Sequence, residues 1–236
     1  VIVLGAGMAG ASVAAELAPG HRVILVEKEE QPGLHATGRS AAMFFESYGN
    51  ATVRALTRAS RQVLEQPPAG FADSPLLSPR GAMFVADAPR LFLLEAMLEA
   101  EPATCGFRPL DVAEARDQCP LLSEDWVAGG LLDDSGHDMD VAAIHLGYLK
   151  RGRHAGMQLV TGAGDTQLER VGDVWQVHTR VGVFAAPVLV NATGAWADLV
   201  AKQAGVRPVG LQPLRRTAVL IAPPAGYEIA RWPMVI

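Results

Sequence analysis

The chain has 236 residues, of which half are hydrophobic and 19% are charged, and its formal net charge is −5 at pH 7. This length suits one large or two small domains, and the apolar content is enough for a buried core, which excludes a disordered chain. The acidic balance excludes a basic nucleic-acid-binding surface, and no apolar run approaches the roughly 20 residues that a bilayer-spanning helix needs.

The first thirty residues predict a dinucleotide-binding unit. An apolar strand runs into the sequence GAGMAG at 5–10, an Ala-rich helix follows, and a second apolar strand ends at Glu27. Gly5 permits the tight turn, Gly7 lets the backbone approach a pyrophosphate, and Gly10 lets the helix lie close to the strand. Glu27 is placed to accept hydrogen bonds from a ribose. The alternative is an ordinary glycine turn.

The middle of the chain predicts a separate lobe. A loop of small residues at 31–42 leads into a helical stretch that runs through Leu64. Turn-rich segments then alternate with a strand at 82–86 and with helices at about 91–101 and 112–118.

The last hundred residues return to a pattern typical of parallel sheets. The predicted elements are a helix at 141–154, strands at 157–160, 166–171, 174–179 and 187–191, and a helix to about 204. Gly172 and Asp173 form the expected hairpin turn. The acidic residues and the histidine at 133–140 predict a polar turn that caps the helix at 141. We therefore expect an α/β protein whose Rossmann-like domain is interrupted by an α+β lobe.

The two ends of the chain and its cysteines carry further expectations. The chain begins inside a strand without an initiator Met and ends in an apolar run at 232–236 that predicts a further strand, so we expect a fragment. Cys105 and Cys119 form no ligand or redox motif, and the six histidines are dispersed without a metal-ligand spacing. These observations indicate a reducing, cytoplasmic setting, leave peripheral membrane association open, and predict no metal site.

Four motifs occur in an order that matches a known family. They are GAGMAG with Glu27, TGRSAA at 37–42, VNATGAW at 190–196 and LQPLRR at 211–216. Together they resemble the flavin-dependent D-amino-acid oxidase (DAO) family, and within it the bacterial D-amino-acid dehydrogenases of the D-arginine type. Members of that family are longer than this chain.

The resemblance implies FAD as the cofactor. The residues that it assigns to FAD are Gly5, Gly7, Gly10, Glu27, Ser40, Ala41, Ala42 and Gly194. In this assignment the three glycines of the first loop hold the pyrophosphate and Glu27 holds the adenosine ribose. The segment 40–42 lies along the pyrophosphate and the isoalloxazine, and Gly194 lets the backbone approach from the other face. A helix N-cap is the alternative for Ser40.

The resemblance also implies a reaction, in which a hydride leaves the α-carbon of a D-amino acid or small amine for flavin N5. The imino acid that forms is hydrolysed to a 2-oxo acid and ammonia, and an acceptor such as oxygen or a quinone takes up the electrons. Arg216 matches the carboxylate-binding arginine, for which a guanidinium fork is suited. Tyr48 matches an active-site tyrosine. The alternatives are a surface ion pair for Arg216 and an ordinary half-buried helix residue for Tyr48.

Two positions depart from the arginine-type enzymes. Met43 stands where they carry a histidine, and Ala82 stands where they carry an acidic residue. A buried cationic side chain without its carboxylate is costly, so D-Arg and D-Lys are not the expected substrates. Met43, Phe44 and Phe45 could instead form an apolar wall that favours hydrophobic side chains, as in D-Leu, D-Met or D-Phe, or a small secondary amine. Core packing is the alternative for these three residues.

The expected domains follow from the same resemblance. The FAD-binding domain comprises 1–45 and 137–207, and the substrate-binding lobe comprises 46–136 and 208–236. Two other functions stay open. One is a flavoenzyme of the same fold that oxidises a hydroxy acid or a glycerol-phosphate-like substrate, and the other is a non-catalytic nucleotide-binding fragment.

Overall fold

A computed structural model of the chain describes residues 1–100, 106–215 and 217–236. Two residues discussed above, Arg216 and Cys105, therefore lie outside the described residues. The chain forms two compact units. The first unit comprises Val1–Ala41, Ala69–Ser74 and Val141–Ala218, and the second comprises Ala42–Pro68, Pro75–Asp140 and Val219–Ile236. Their boundaries differ from the expected domain boundaries by 4 to 11 residues, and the segment 69–74 joins the first unit.

The secondary structure is a mixture of strands and helices. In chain order the strands are β1 (Ile2–Leu4), β2 (Ile24–Val26), β3 (Met43–Phe44), β4 (Leu77–Pro79), β5 (Ala82–Ala86), β6 (Phe107–Leu110), β7 (Gly129–Asp133), β8 (His137–Met139), β9 (Gln158–Val160), β10 (Gln167–Val171), β11 (Val174–Thr179), β12 (Gly182–Ala186), β13 (Leu189–Asn191) and β14 (Met234–Val235). The helices are α1 (Met8–Leu17), α2 (Ala51–Glu65), α3 (Leu91–Ala100), α4 (Val112–Gln118), α5 (Val141–His154) and α6 (Ala197–Gln203). Among these helices none combines the length and apolar character that crossing a bilayer requires.

The first unit is built on a parallel sheet with the strand order β13-β1-β2-β9. Alternate side chains of the central strands point to opposite faces, and both faces are covered. Val3 and Leu25 pack on one face against α1 and α5. Ile2 and Val26 pack on the other face against Val177 of β11 and against α6. The predicted α/β arrangement is confirmed.

The second cover of that sheet is an antiparallel meander with the order β10-β11-β12. The β10–β11 hairpin turns at Gly172, which has a positive φ of 58°, as its Gly-Asp sequence predicts. Strand β12 was not predicted from the sequence. Its Phe184 and Ala186 pack toward the sheet, but its sequence GVFAA contains no polar residue, so the alternation of polar and apolar residues that reveals a half-buried strand is absent there.

The second unit contains a mixed sheet with the order β14-β5-β7-β6, in which β14 runs parallel to β5 and the other pairs are antiparallel. Helix α4 packs on one face, where Ala115 and Met83 share a buried cluster. Helix α3 packs on the other face, where Leu94 and Leu131 are buried together. The pairing of β14 with β5 confirms the strand that was predicted at the end of the chain.

The structure corrects two sequence predictions, one for residues 133–140 and one for Ser40. Residues 133–140 do not form only a polar turn, because Asp133 ends β7 and His137 begins β8 in a small antiparallel sheet with the order β3-β8-β4. The helix expected after the small-residue loop begins at Ala51, and its N-cap is Asn50, whose side chain accepts a hydrogen bond from the Val53 N–H. The N-cap alternative for Ser40 is therefore wrong.

Candidate functional site

A cavity of about 630 Å³ opens in the first unit at the carboxyl ends of β1, β2 and β13. Ligands of open α/β sheets bind at this edge. Four residues that the sequence assigns to the cofactor line this cavity, namely Gly5, Gly7, Glu27 and Gly194. The structure thus brings together residues from both ends of the first unit's sequence.

The glycine loop is so tightly packed against neighbouring backbone that two of its glycines have no room for a Cβ atom. Gly5 has a φ of +91°, and a Cβ built there would come within 2.6 Å of the Ala192 carbonyl oxygen. Gly10 lies behind the loop, where a Cβ would come within 1.7 Å of the Gly5 oxygen. Only glycine fits these two positions, and the result is the close strand-to-helix packing that was predicted for Gly10.

Glu27 holds the loop from its strand end. Its side chain is only 8% exposed. One carboxylate oxygen accepts a hydrogen bond from the Ala6 N–H at 2.7 Å, and the other accepts from the Glu29 N–H at 3.0 Å. A carboxylate has about four lone-pair sites, so both oxygens keep acceptor capacity for the hydroxyl groups of a ribose.

Three residues that sequence analysis did not single out also line the cavity. The Thr37 hydroxyl accepts a hydrogen bond from the Met8 N–H at 2.9 Å, at the N-terminus of α1. The His35 ring lies 4.8 Å from the Trp196 ring at a tilt of 58°. Thr37 and Trp196 belong to two of the four family motifs, so the sequence contained information that could have identified them. His35 belongs to none of these motifs, and no sequence pattern indicated it.

An ion pair stands at the rim of the cavity. The Lys28 ammonium lies 2.7 Å from the Asp165 carboxylate, and both side chains are largely exposed. This hydrogen bond raises the pKa of Lys28 above its usual value despite some loss of hydration. Exposed pairs of this kind add little to stability, so we regard it as a feature of the cavity entrance.

The segment 40–42 is not among the residues that line this cavity. Ser40 and Ala41 are exposed and are not part of its lining. Ala42 begins the second unit, where its carbonyl accepts a hydrogen bond from the Met139 N–H at 3.3 Å. The role of this segment at the isoalloxazine stays a prediction.

The residues expected to contact substrate lie in the second unit or outside the described residues. Tyr48 precedes α2 in a turn and is 61% exposed, and its ring meets the Phe45 ring edge-on at 5.5 Å. It is not the helix residue that the alternative supposed. Arg216 lies outside the described residues.

The three apolar residues at 43–45 do not share one surface. Met43 and Phe44 are successive strand residues and point to opposite faces. Phe44 is buried, with the Arg61 guanidinium 4.9 Å from the centre of its ring. It therefore packs in the core, as the alternative for this residue proposed. Phe45 instead lies 6.3 Å from Phe84, edge to face.

Ala82 lies directly opposite Asp133 in the β5–β7 pair. Both are fully buried, and the Asp133 carboxylate accepts a hydrogen bond from the Ser47 hydroxyl at 2.9 Å. Cross-strand partners point to the same face of a sheet. A glutamate at position 82 would therefore place a second buried carboxylate beside Asp133, which is a strongly unfavourable arrangement.

The lining of the first-unit cavity fits FAD. A dinucleotide needs a backbone that closes on its phosphates and an acceptor for its ribose, and the tightly packed glycine loop and the buried Glu27 supply them. Gly5, Gly7 and Gly194 would face the cofactor, Gly10 would support them from behind, and Glu27 would hold the ribose. When bound, FAD supplies a two-electron acceptor.

Comparison with known proteins points to the same cofactor. The DAO family model, described as FAD dependent oxidoreductase, matches residues 1–235. Curated relatives include the tRNA 5-methylaminomethyl-2-thiouridine biosynthesis bifunctional protein MnmC of Burkholderia ambifaria (strain MC40-6), which is 29% identical over 238 residues that cover 94% of this chain and 34% of the relative. The protein of the same name from Burkholderia orbicola (strain MC0-3) is 30% identical over 239 residues, covering 94% and 35%. The chain thus spans about a third of the length of the curated relatives it matches.

Solved structures share the fold. L-proline dehydrogenase from P. horikoshii aligns with a TM-score of 0.74 at 20% identity, covering 87% of this chain and 55% of that chain. Glycine oxidase from Geobacillus kaustophilus aligns with a TM-score of 0.74 at 22% identity, covering 86% and 57%. L-alpha-glycerophosphate oxidase from Mycoplasma pneumoniae, a structure with FAD bound, aligns with a TM-score of 0.72 at 16% identity, covering 86% and 56%. Because the family model extends over almost the whole chain and the cavity fits the cofactor, this chain belongs to the DAO family of FAD-dependent oxidoreductases.

Proposed function

We propose that this chain oxidises the Cα–N bond of a D-amino acid or a related small amine. The observation that carries the proposal is the FAD-fitting cavity in a chain that matches the DAO family over residues 1–235. Structural neighbours named for proline and glycine support an amine substrate. Oxidation removes a hydride from the α-carbon and a proton from the nitrogen, and water then converts the imino acid to a 2-oxo acid and ammonia.

In this proposal the protein binds and orients the substrate. Arg216 would hold the carboxylate with two parallel hydrogen bonds, and Tyr48, whose ring is exposed, would donate from its phenol to the substrate or a water. Met43 and Phe45 would contact the apolar side chain. The segment 40–42 would lie along the flavin. The first unit would then be the FAD-binding domain and the second the substrate-binding lobe.

The side-chain preference is for apolar substrates. Met43 and Ala82 supply no charge for a guanidinium, and the carboxylate beside Ala82 is buried and already accepts the Ser47 hydroxyl. A cationic side chain would therefore lose hydration without gaining an ion pair. We expect D-Leu, D-Met and D-Phe to react faster than D-Arg.

The test is anaerobic reduction of the flavin-loaded chain by a panel of D-amino acids, followed through the absorbance of the flavin. We expect the bands to bleach with apolar D-amino acids and more slowly with D-Arg. Arg216→Ala should raise the substrate concentration needed for half-maximal reduction at least tenfold, because it removes the carboxylate anchor. Arg215→Ala is the matched control and should behave as the parent chain. A preference for D-Arg would contradict the side-chain argument, and bands that persist with every amine would contradict the proposal.

A second candidate is an amine carried by a nucleoside. The MnmC relatives are 29–30% identical over 94% of this chain and are named for 5-methylaminomethyl-2-thiouridine biosynthesis in tRNA. The net charge of −5 disfavours binding of a whole tRNA by this chain. The same bleaching assay with an aminomethyl-uridine nucleoside distinguishes the two. Bleaching by glycerol phosphate would favour a hydroxy substrate, and a chain that retains no flavin would favour the non-catalytic fragment.

A further inference from the structure

The dinucleotide loop is held by a histidine from a distant part of the chain. His145 lies in α5, is 6% exposed, and its Nε2 lies 2.8 Å from the Ala6 carbonyl oxygen. A carbonyl oxygen only accepts, so the imidazole donates and its proton is on Nε2. Ala6 lies between Gly5 and Gly7, the two glycines of the loop that line the cavity. None of the motifs or resemblances discussed above includes His145.

The Ala6 backbone is thereby held on both sides. Its N–H donates to the Glu27 carboxylate at 2.7 Å, and its carbonyl accepts from His145 at 2.8 Å. Both bonds are buried, so neither competes with water, and loss of either partner would leave a buried polar group unsatisfied. The two peptide planes that flank Ala6 are therefore fixed in orientation.

The hydrogen bond from His145 also orients the Gly7 N–H. The Ala6 carbonyl and the Gly7 N–H belong to one peptide group, which is trans, so the two bonds point in opposite directions. A carbonyl that points to His145 turns the Gly7 N–H away from α5. Gly7 lines the cavity, and a donor directed into this cavity is what the phosphates of a dinucleotide accept.

The lack of a side chain on Gly33 makes space for the His145 ring. This residue has a φ of +76°, and a Cβ built on it would come within 2.9 Å of His145 Cε1 and 3.2 Å of Nδ1. The imidazole therefore fills the space that a side chain at position 33 would need. Gly33 has no side chain, so its backbone leaves room for the His145 ring to reach Ala6.

We propose that His145 is a positioning residue for FAD binding, which acts by holding the Ala6–Gly7 peptide so that the Gly7 N–H faces the cofactor phosphates. His145 does not itself contact the cofactor. The inference does not depend on which substrate the enzyme oxidises, because it concerns only the first-unit cavity.

The test compares the FAD dissociation constants of three variants, measured by the change in flavin fluorescence on binding. His145→Leu removes the donor while keeping an apolar side chain, and we expect the constant to rise about tenfold, as for the loss of one buried hydrogen bond. His145→Gln keeps an amide donor near the Nε2 position and should stay within about threefold of the parent. His154→Gln, an exposed histidine of the same helix, is the matched control and should leave the constant unchanged.

Two results for the His145 variants would contradict the proposed role. Equal weakening in the Gln and Leu variants would show that ring packing on Gly33 matters rather than the hydrogen bond, and an unchanged constant in the Leu variant would show that the loop needs no support from α5. Either result overturns the proposal. The cofactor-free protein gives an independent check, because ring ¹⁵N shifts report which nitrogen carries the proton. A neutral ring with its proton on Nδ1 would also overturn the proposal.

Discussion

At the scale of single residues, the backbone glycines of the loop matter most. A Cβ at Gly10 would lie 1.7 Å from the Gly5 carbonyl oxygen, and both partners are backbone, so no side-chain rotation relieves the collision. The loop would have to move, and with it the groups that face the cavity. The packing of the protein backbone therefore requires glycine at position 10, whether or not a cofactor is bound.

We expect Gly10→Ala to lower the free energy of unfolding by about 3 kcal/mol and to abolish tight FAD binding. Chemical denaturation of the cofactor-free chain measures the first effect, and flavin fluorescence measures the second. Gly20→Ala is the matched control, because a Cβ at Gly20 meets nothing within 4 Å, and it should leave both quantities close to those of the parent. Tight binding by Gly10→Ala would contradict the structural account.

At the scale of elements, α6 is tied to the segment that follows it. The Asp198 carboxylate in the first turn of α6 accepts hydrogen bonds from the N–H groups of Val209, Gly210 and Leu211 at 3.0, 2.8 and 2.8 Å. The Val209 bond, together with those from Leu211 and Gly210, holds the pKa of Asp198 below its ordinary value despite some loss of hydration. One side chain thus fixes the start of the LQPLRR motif.

Because the folded-state pKa is lowered, the charged form of Asp198 stabilises the folded segment above the ordinary aspartate pKa, and this stabilisation is lost as the pH falls through the lowered value. We expect NMR titration of the carboxyl carbon to show a midpoint below the ordinary value of 3.8.

Asp198→Asn should loosen the segment, since an amide nitrogen cannot accept the two bonds made to Oδ2, and trypsin should cleave faster after Arg215. Asp173→Asn, in the β10–β11 turn, is the control. Equal cleavage of both variants would contradict this role.

At the scale of the whole molecule, FAD binding is expected to raise the free energy of unfolding. All residues that line the 630 Å³ cavity belong to the first unit, and a ligand that binds only the folded form stabilises it by mass action. FAD at one hundred times its dissociation constant should contribute about 2.7 kcal/mol.

Calorimetry should therefore show a higher Tm with FAD than without it. ADP, which carries the adenosine and pyrophosphate, should give part of this increase, whereas FMN, which lacks adenosine, should give little. The reverse order of the two fragments would contradict the assignment of Glu27 to the ribose.

Local sequence patterns predicted much of this fold. Helices α4 and α5 and strand β5 have the bounds that periodicity indicates. The strand, glycine loop and helix at the start of the chain were also predicted, because turn geometry and close packing demand glycine at particular positions. These are contacts among neighbours in the chain, and the residues themselves carry the information.

Other features depended on residues that are far apart in the sequence. Only the tertiary structure showed that His145 reaches Ala6, 139 residues away, or that β12 adds to the meander. It also showed β8 within the segment where a polar turn was expected, and Asp133 buried opposite Ala82. The sequence by itself determined the fold class, the glycine loop and most elements, since these follow from local geometry and periodicity. The tertiary structure alone decided which side chains support that loop, because pairing between distant segments leaves no periodic signal in either one.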